Sequence, residues 1–231
     1  MAAELKKICE VIIFKKGKAN IAFSGGNTPG LLFQILGNNY HESIDWAKVN
    51  LFWVDERCVP PESEESNFGM VYKYLLSKIN IPGNNIHRIE GENIPYNEAE
   101  RYAGVLRNNL ILENNLPCLD IVLLGMGDDG HTASIFPDQM YLLKSDNYCE
   151  VAMQPYTGQK RITLTGKVIN NSERIYFMVT GKNKAEIVKD ILEKKNDYKK
   201  YPASHISEVN GKLKWYMDKE ASSLLSNDYI F

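Results

Sequence analysis

The sequence predicts an α/β protein whose mainly parallel sheet is covered by helices on both faces. Three observations carry this. Short, wholly apolar runs such as Ile121-Val122-Leu123-Leu124 read as buried parallel strands. Amphipathic stretches of about 10–15 residues stand between them, the length of crossover helices. Several of the apolar runs end in turns rich in glycine and small polar residues, as Ala19–Phe23 does at Ser24-Gly25-Gly26-Asn27.

Residues 3 to 16 have helical spacing, with Leu5, Ile8, Val11 and Ile12 on one face. Ala19 to Phe23 is a short strand. Thr28 followed by Pro29 resembles an N-cap and first helical position, so 31 to 36 should be helical. Val49 to Val54 is a second buried strand, ending at Asp55-Glu56-Arg57. Residues 67 to 79 and 98 to 113 read as amphipathic helices, separated by a Pro/Gly/Asn loop and a short strand near Ile86. Residues 120 to 124 form the next strand, and Arg161 precedes a small alternating segment. Arg174 to Thr180 is a strand, and 183 to 195 a helix opened at Gly181. Lys214 to Met217 is a late strand before a short terminal helix. No internal repeat, low-complexity segment or linker divides residues 1 to 231, so a single domain is expected.

Composition narrows the function. The chain has 231 residues, is 44% hydrophobic and 24% charged, and carries a net charge of −2. That balance gives no reason to expect nucleic acid. No apolar stretch approaches a membrane span, and the run Val11-Ile12-Ile13-Phe14 is too short for a signal sequence. The four cysteines are scattered without a C-x-x-C pair, which fits a reducing, cytoplasmic setting better than a disulfide framework.

Chemistry concentrates at strand ends, where open α/β sheets place ligands. At Ser24-Gly25-Gly26-Asn27-Thr28 the backbone turns tightly into a helix start, whose free amides and dipole suit a phosphate. The pattern is neither G-x-G-x-x-G nor a P-loop, and a plain strand-to-helix turn is the alternative. At Asp55-Glu56-Arg57 the Arg57 fork suits phosphate or carboxylate, unless it only pairs with a neighbouring acid. Ser66 or Asn67 can cap the helix that follows.

In Gly127-Asp128-Asp129-Gly130-His131-Thr132 the histidine stands at a strand end beside glycines and carboxylates. An imidazole there can accept a proton near neutral pH, and a neighbouring carboxylate can fix its tautomer. A lone histidine is also often structural. One histidine with scattered cysteines lacks the ligand count for zinc, and Ser134 sits in no G-x-S-x-G elbow. Arg161 and Lys184 complete the set. A lysine in the first turn of a helix opposes the dipole and makes sense beside a bound anion, although each base read alone fits a solvated surface.

Together SGGNTP (24–29), WVDERCVP with SN (53–60, 66–67), LGMGDDGHTASIFP (124–137), RITLT (161–165), TGKNKA (180–185) and YPAS (201–204) closely resemble the 6-phosphogluconolactonase family. The pieces come in the family's order over nearly the whole chain. The resemblance implies a doubly wound α/β fold shared with glucosamine-6-phosphate deaminases. It also implies hydrolysis of 6-phospho-D-glucono-1,5-lactone to 6-phosphogluconate in the pentose phosphate pathway, without metal or organic cofactor. Family members occur alone or fused to glucose-6-phosphate dehydrogenase, so coupling to that enzyme is the implied partnership. The competing readings are a deaminase-like isomerase and a non-catalytic sugar-phosphate binder. Deaminases of the group typically continue the DGH triplet with a glutamate-containing I-A-F-N-E-P and read Asp-Glu-Tyr at 55–57. This chain has Thr132-Ala133-Ser134-Ile135-Phe136-Pro137 and Arg57, and both departures favour the lactonase.

The implied roles follow residue by residue. His131 is the general base and Asp129 orients it. Gly25, Gly26, Asn27 and Thr28 hold the phosphate, with Arg57 and Lys184 neutralising it. Arg161 or backbone amides meet the oxyanion. Asp55 and Asn67 belong to the substrate-binding set, Asp55 positioning Arg57 or a sugar hydroxyl.

Overall fold

The computed structural model describes residues 1–207 and 211–226. In chain order the elements are α1 (Ala2–Lys16), β1 (Ala19–Phe23), α2 (Asn27–Asn39), β2 (Val49–Trp53), β3 (Asp55–Arg57), α3 (Asn67–Tyr74), β4 (Ile86–His87), α4 (Pro95–Asn109), β5 (Ile111–Glu113), β6 (Leu116–Cys118) and β7 (Ile121–Leu124). There follow β8 (Cys149–Met153), β9 (Lys160–Leu164), α5 (Gly166–Asn170), β10 (Arg174–Val179), α6 (Ala185–Leu192) and β11 (Lys212–Met217). Six strands form a parallel sheet in the order β11-β10-β7-β1-β2-β4. The order grows outward from β1 in both directions, so right-handed crossovers place helices on both faces. The direction reverses between β1 and β7, and the crevice beyond their carboxyl ends is where such a fold takes a ligand.

The central strands are apolar because both faces are covered. Every residue of β2 and β7 is buried. The one polar side chain in β2, Asn50, donates to Asn20 Oδ1 of β1 at 2.9 Å, which satisfies it inside the sheet. Strand β1 spans the residues expected from the sequence. Phe23, Phe33, Phe52, Trp53 and Tyr102 are fully buried around it.

Several boundaries differ from expectation, each for a local reason. In α1 the buried face is Leu5, Cys9 and Ile12, at i, i+4 and i+7, while Val11 points outward. Helix α2 begins at Asn27 with Gly26 as its cap, at φ +106, so Thr28 lies inside the first turn. The run through Val54 divides. Tyr102 Oη accepts from Trp53 N at 2.8 Å and donates to Trp53 O at 3.0 Å, closing β2, and the chain then joins a second sheet as β3. That antiparallel sheet, β3-β9-β8, was not legible as a sheet, and β8 was missed.

The helix expected over 67–79 ends at Tyr74 and continues only as a 3-10 turn, Leu76–Lys78. Helix α4 stops at Asn109, and 111–118 turn back as the β5–β6 hairpin through Asn114 and Asn115, both at positive φ. Residues 182–184 form a 3-10 turn ahead of α6, which ends at Leu192. After Met217 the described residues form turns closed by bonds such as Ser222 N to Asp218 O, in place of the expected terminal helix, whose remainder lies outside the described residues. Among the described residues no helix is long and apolar enough to cross a membrane.

Candidate active site

The carboxyl ends of β1, β7 and β10, closed on one side by β3 and β9, surround a cavity of about 460 Å³. Five stretches of chain reach its wall. Gly25, Gly26, Asn27 and Thr28 come from the turn after β1, and Asp55 and Arg57 from β3. His131 comes from the turn after β7, Arg161 from β9 and Lys184 from the turn after β10. Residues scattered over most of the sequence therefore meet at the point where the strand order reverses. A larger open groove of about 830 Å³ adjoins the cavity between α2 and α3 and shares Gly26, Asn27 and Arg57, but His131 is not on its wall.

The phosphate-type turn is held from two sides. Thr28 Oγ1 and Thr180 Oγ1 lie 2.7 Å apart, tying the start of α2 to the end of β10. Behind the turn stands Asn67, which does not reach the cavity wall. A Cβ on Gly25 would fall 1.8 Å from Asn67 Oδ1, so only glycine lets the turn lie against that side chain. Asn67 Nδ2 donates to Asp55 O at 2.9 Å and approaches Asp55 Oδ1 at 3.4 Å. Asn67 thus packs the turn against β3.

His131 Nδ1 lies 2.5 Å from Asp129 Oδ1, and the same oxygen accepts the His131 backbone N–H at 3.0 Å. Burial pulls the Asp129 carboxyl upward, but its hydrogen bond to His131 and the attraction of that ring hold it below the usual value. With Nδ1 facing a carboxylate, the imidazole carries its proton there and leaves Nε2 as the acceptor. The ring packs on Phe136, centroids 4.7 Å apart, and the Arg161 guanidinium lies over the same phenyl ring at 5.6 Å.

Arg57 and Arg161 are register partners across the β3–β9 pair. Burial lowers the Arg161 pKa, Asp55 works against the shift, and Arg57 adds to it. The Nε atoms of both arginines are buried with no protein partner. Arg57 Nη1 donates to Glu65 O. Two guanidinium groups side by side have the charge and fork geometry that suit an anion. Lys184 Nζ pairs with Asp128, to which Asn183 Nδ2 also donates at 2.8 Å. Asp55 is 4% exposed and accepts a bond of 2.6 Å from Ser134 Oγ.

Two residues carry more than the sequence suggested. Glu56 looked like a partner for Arg57, yet its carboxylate is 1% exposed. It accepts backbone N–H bonds from Arg57 at 2.8 Å, Asn67 at 2.7 Å and Phe68 at 2.7 Å, and one from Ser66 Oγ at 3.2 Å. Burial outweighs these bonds and pushes the Glu56 carboxyl up to about 7, while the bonds fix Asn67 and Arg57 together at the first turn of α3. The other is Phe136, the shared surface for His131 and Arg161. Its place straight after the DGH segment was the only signal. Among the described residues no group of three or more His, Cys, Asp or Glu is arranged to hold a metal ion.

Comparisons with known proteins agree with this fold. The family model for glucosamine-6-phosphate isomerases/6-phosphogluconolactonase matches residues 1–215. A 6-phosphogluconolactonase of Haemophilus influenzae is 44% identical over 207 residues, 89% of this chain and 87% of that protein. Among solved structures, the devB protein superposes with a TM-score of 0.89 at 40% identity, covering 98% of this chain and 97% of that one. The 6-phosphogluconolactonase of Trypanosoma brucei superposes with a TM-score of 0.87 at 26% identity, covering 97% and 93%.

Proposed function

The chain belongs to the glucosamine-6-phosphate isomerase/6-phosphogluconolactonase family, and from that membership we propose that it hydrolyses 6-phospho-D-glucono-1,5-lactone to 6-phospho-D-gluconate by general-base activation of water. The observation that carries the mechanism is the Asp129–His131 contact on a cavity whose opposite parts are a glycine turn and three basic side chains. His131 Nε2 takes a proton from water as the water oxygen bonds to the lactone carbonyl carbon. Asp129 remains an anion and favours the imidazolium that forms. The tetrahedral oxyanion is met by Arg161 or a backbone amide, each such donor worth about 3 kcal/mol. As the bond from that carbon to the ring oxygen breaks, the imidazolium returns its proton to the ring oxygen. The chain's own groups complete the cycle with no net change.

The 6-phosphate sits on Gly25, Gly26, Asn27 and Thr28, with Arg57 and Lys184 neutralising it. Asp55 is a positioning group that holds Arg161 by charge and β3 by its bonds. Asn67 supports the phosphate turn from behind. The substrate is a small sugar phosphate, and functional coupling in the cytoplasm to glucose-6-phosphate dehydrogenase, which makes the lactone, follows from the reading.

Purified protein is given the lactone, and acid release is compared with the no-enzyme rate, because the lactone also hydrolyses spontaneously. A parallel arm supplies glucosamine 6-phosphate and monitors ammonia. The expected result is acid release well above background with no ammonia, lost in His131→Ala. Acid release no faster than background overturns the lactonase reading, and a fully active His131→Ala variant overturns the base assignment.

A further inference from the structure

The YPAS segment has no part in the chemistry above, yet it packs against the back of the turn that carries His131. Gly130 adopts φ +76, the left-handed region that favours glycine. A Cβ there would lie 2.5 Å from Tyr201 Cδ1 and 2.8 Å from both Tyr201 Cβ and Cγ. The tyrosine therefore occupies the side of the turn where any other side chain would stand. Two residues on, Ala203 N donates to Gly130 O at 3.0 Å.

The peptide joining Gly130 to His131 is thus gripped at both ends. Its carbonyl accepts from Ala203, and its N–H donates to the Asp129 oxygen that also meets the imidazole Nδ1. A rotation of this peptide plane would move the N–H off Asp129 and with it the Asp129–His131 geometry. The segment is itself stiff. Pro202 and Ala203 are buried, and Ser204 Oγ donates to Tyr201 O at 2.7 Å. Tyr201 Oη reaches Asp190 Oδ2 of α6 at 3.4 Å, a long contact, so the ring rather than the hydroxyl is the working part.

We infer that Tyr201 is a positioning residue for lactone hydrolysis: its ring, with the Ala203 amide beside it, presses the Gly130–His131 peptide into the orientation that aims the imidazole at water. The inference rests on the lactonase reading and on His131 as base. It assigns Tyr201 no contact with substrate. A small misplacement of a general base is costly, a shift of about 1 Å being able to lower the rate about 10²-fold.

The test compares wild type with Tyr201→Ala, Tyr201→Leu and Tyr201→Phe. Expected is a fall in kcat of about tenfold to a hundredfold in the Ala variant with KM within about twofold, because the phosphate contacts lie on other strands. Tyr201→Phe should restore kcat to near wild type, and Tyr201→Leu should fall between them. The imidazole nitrogen resonances of His131 should shift or broaden in the Ala and Leu variants and match wild type in the Phe variant. If Tyr201→Ala does not fold, Tyr201→Leu gives the same reading with apolar bulk retained. Unchanged kcat and unchanged His131 resonances in the folded variants overturn the proposal, as does a rise in KM with kcat intact. Wild-type protein that fails to hydrolyse the lactone would remove the lactonase reading instead, while the His131 resonances still decide whether Tyr201 sets the ring.

Discussion

Ser134 Oγ donates a hydrogen bond of 2.6 Å to Asp55 Oδ2, and both side chains are almost wholly buried. The pair joins the turn after β7 to β3 across two sheets. Ser134 N also donates to Thr163 Oγ1 of β9 at 3.2 Å, so the loop is fastened to the second sheet at two points. A hydroxyl with no exposed surface and a buried carboxylate for its acceptor is not placed to attack a substrate. Ser134 belongs to the frame of the site.

Ser134→Ala would leave Asp55 Oδ2 buried without this donor, while the amide of Asn67 remains at 3.4 Å from Oδ1. The expected destabilisation is about 1–3 kcal/mol, read as a lower Tm or urea midpoint. Asp55→Ala combined with Ser134→Ala should cost less than the two single changes added, since both remove one interaction. Strict additivity would mean that the two residues do not act as a pair.

Lys184 and Asp128 make the opposite kind of pair. The lysine side chain is largely covered, at 14% exposed, whereas that of Asp128 is open to solvent. A phosphate arriving beside Lys184 competes with Asp128 for its ammonium. Lys184→Ala should raise KM for the lactone by about tenfold or more, the worth of a hydrogen bond to a charged group at about 1.5–3 kcal/mol, with kcat changed much less. Asp128→Asn should shift KM the other way. Steady-state kinetics in low salt check both, and a higher KM in Asp128→Asn would show that the aspartate helps to hold substrate.

How much of this was legible depended on whether the signal was local. Strand β1 and its glycine turn were readable because four apolar residues around Asn20 meet a change in composition at Ser24. The meeting of His131, Arg57 and Lys184 on one cavity wall was readable because each follows the end of an apolar run. Glu56 was not, because most of the donors to its buried carboxyl come from residues 66–68, brought near by a loop. Strand β5 reads as the end of a helix because Ile111 and Leu112 continue an apolar pattern, although both are exposed in the hairpin. Strand β8 pairs with β9 at the edge of its sheet and carries Glu150 as its second residue, which blurs its apolar run. The hidden parts are two short hairpins with weak apolar patterns and a carboxylate whose donors lie across a loop.

Gly127 marks how closely the turn carrying His131 is packed. A Cβ there would lie 2.1 Å from His131 Cε1 and Nδ1 and 2.8 Å from Asp129 Oδ1. On Gly125 a Cβ would approach only Gly25 O, at 4.0 Å. Gly127→Ala should therefore displace the imidazole and lower kcat by about 10²-fold, with a Tm close to that of Gly125→Ala. The comparison is between two identical substitutions two residues apart. Equal kcat in the two variants would show that the His131 ring position does not limit the reaction.

Asp129 ties activity to stability through one carboxylate. Its hydrogen bond and attraction to His131 outweigh burial and hold its pKa below the unfolded value of about 3.9. A carboxyl depressed on folding binds fewer protons in the folded state than in the unfolded chain. Its contribution to stability is thus present above about pH 4 and is lost as pH falls through the folded pKa. Asp129→Asn removes that contribution, so the stability gap between wild type and variant should be steady above about pH 5 and close below about pH 4. The same change should lower kcat by about 10²–10⁴-fold at neutral pH, because an amide neither favours the imidazolium nor fixes the Nδ1–H tautomer. Denaturant melts from acid to neutral pH and kcat measured on the same samples test the two effects together. A gap that persists in acid would place the stabilising charge elsewhere, and a kcat near wild type would leave His131 to act without Asp129.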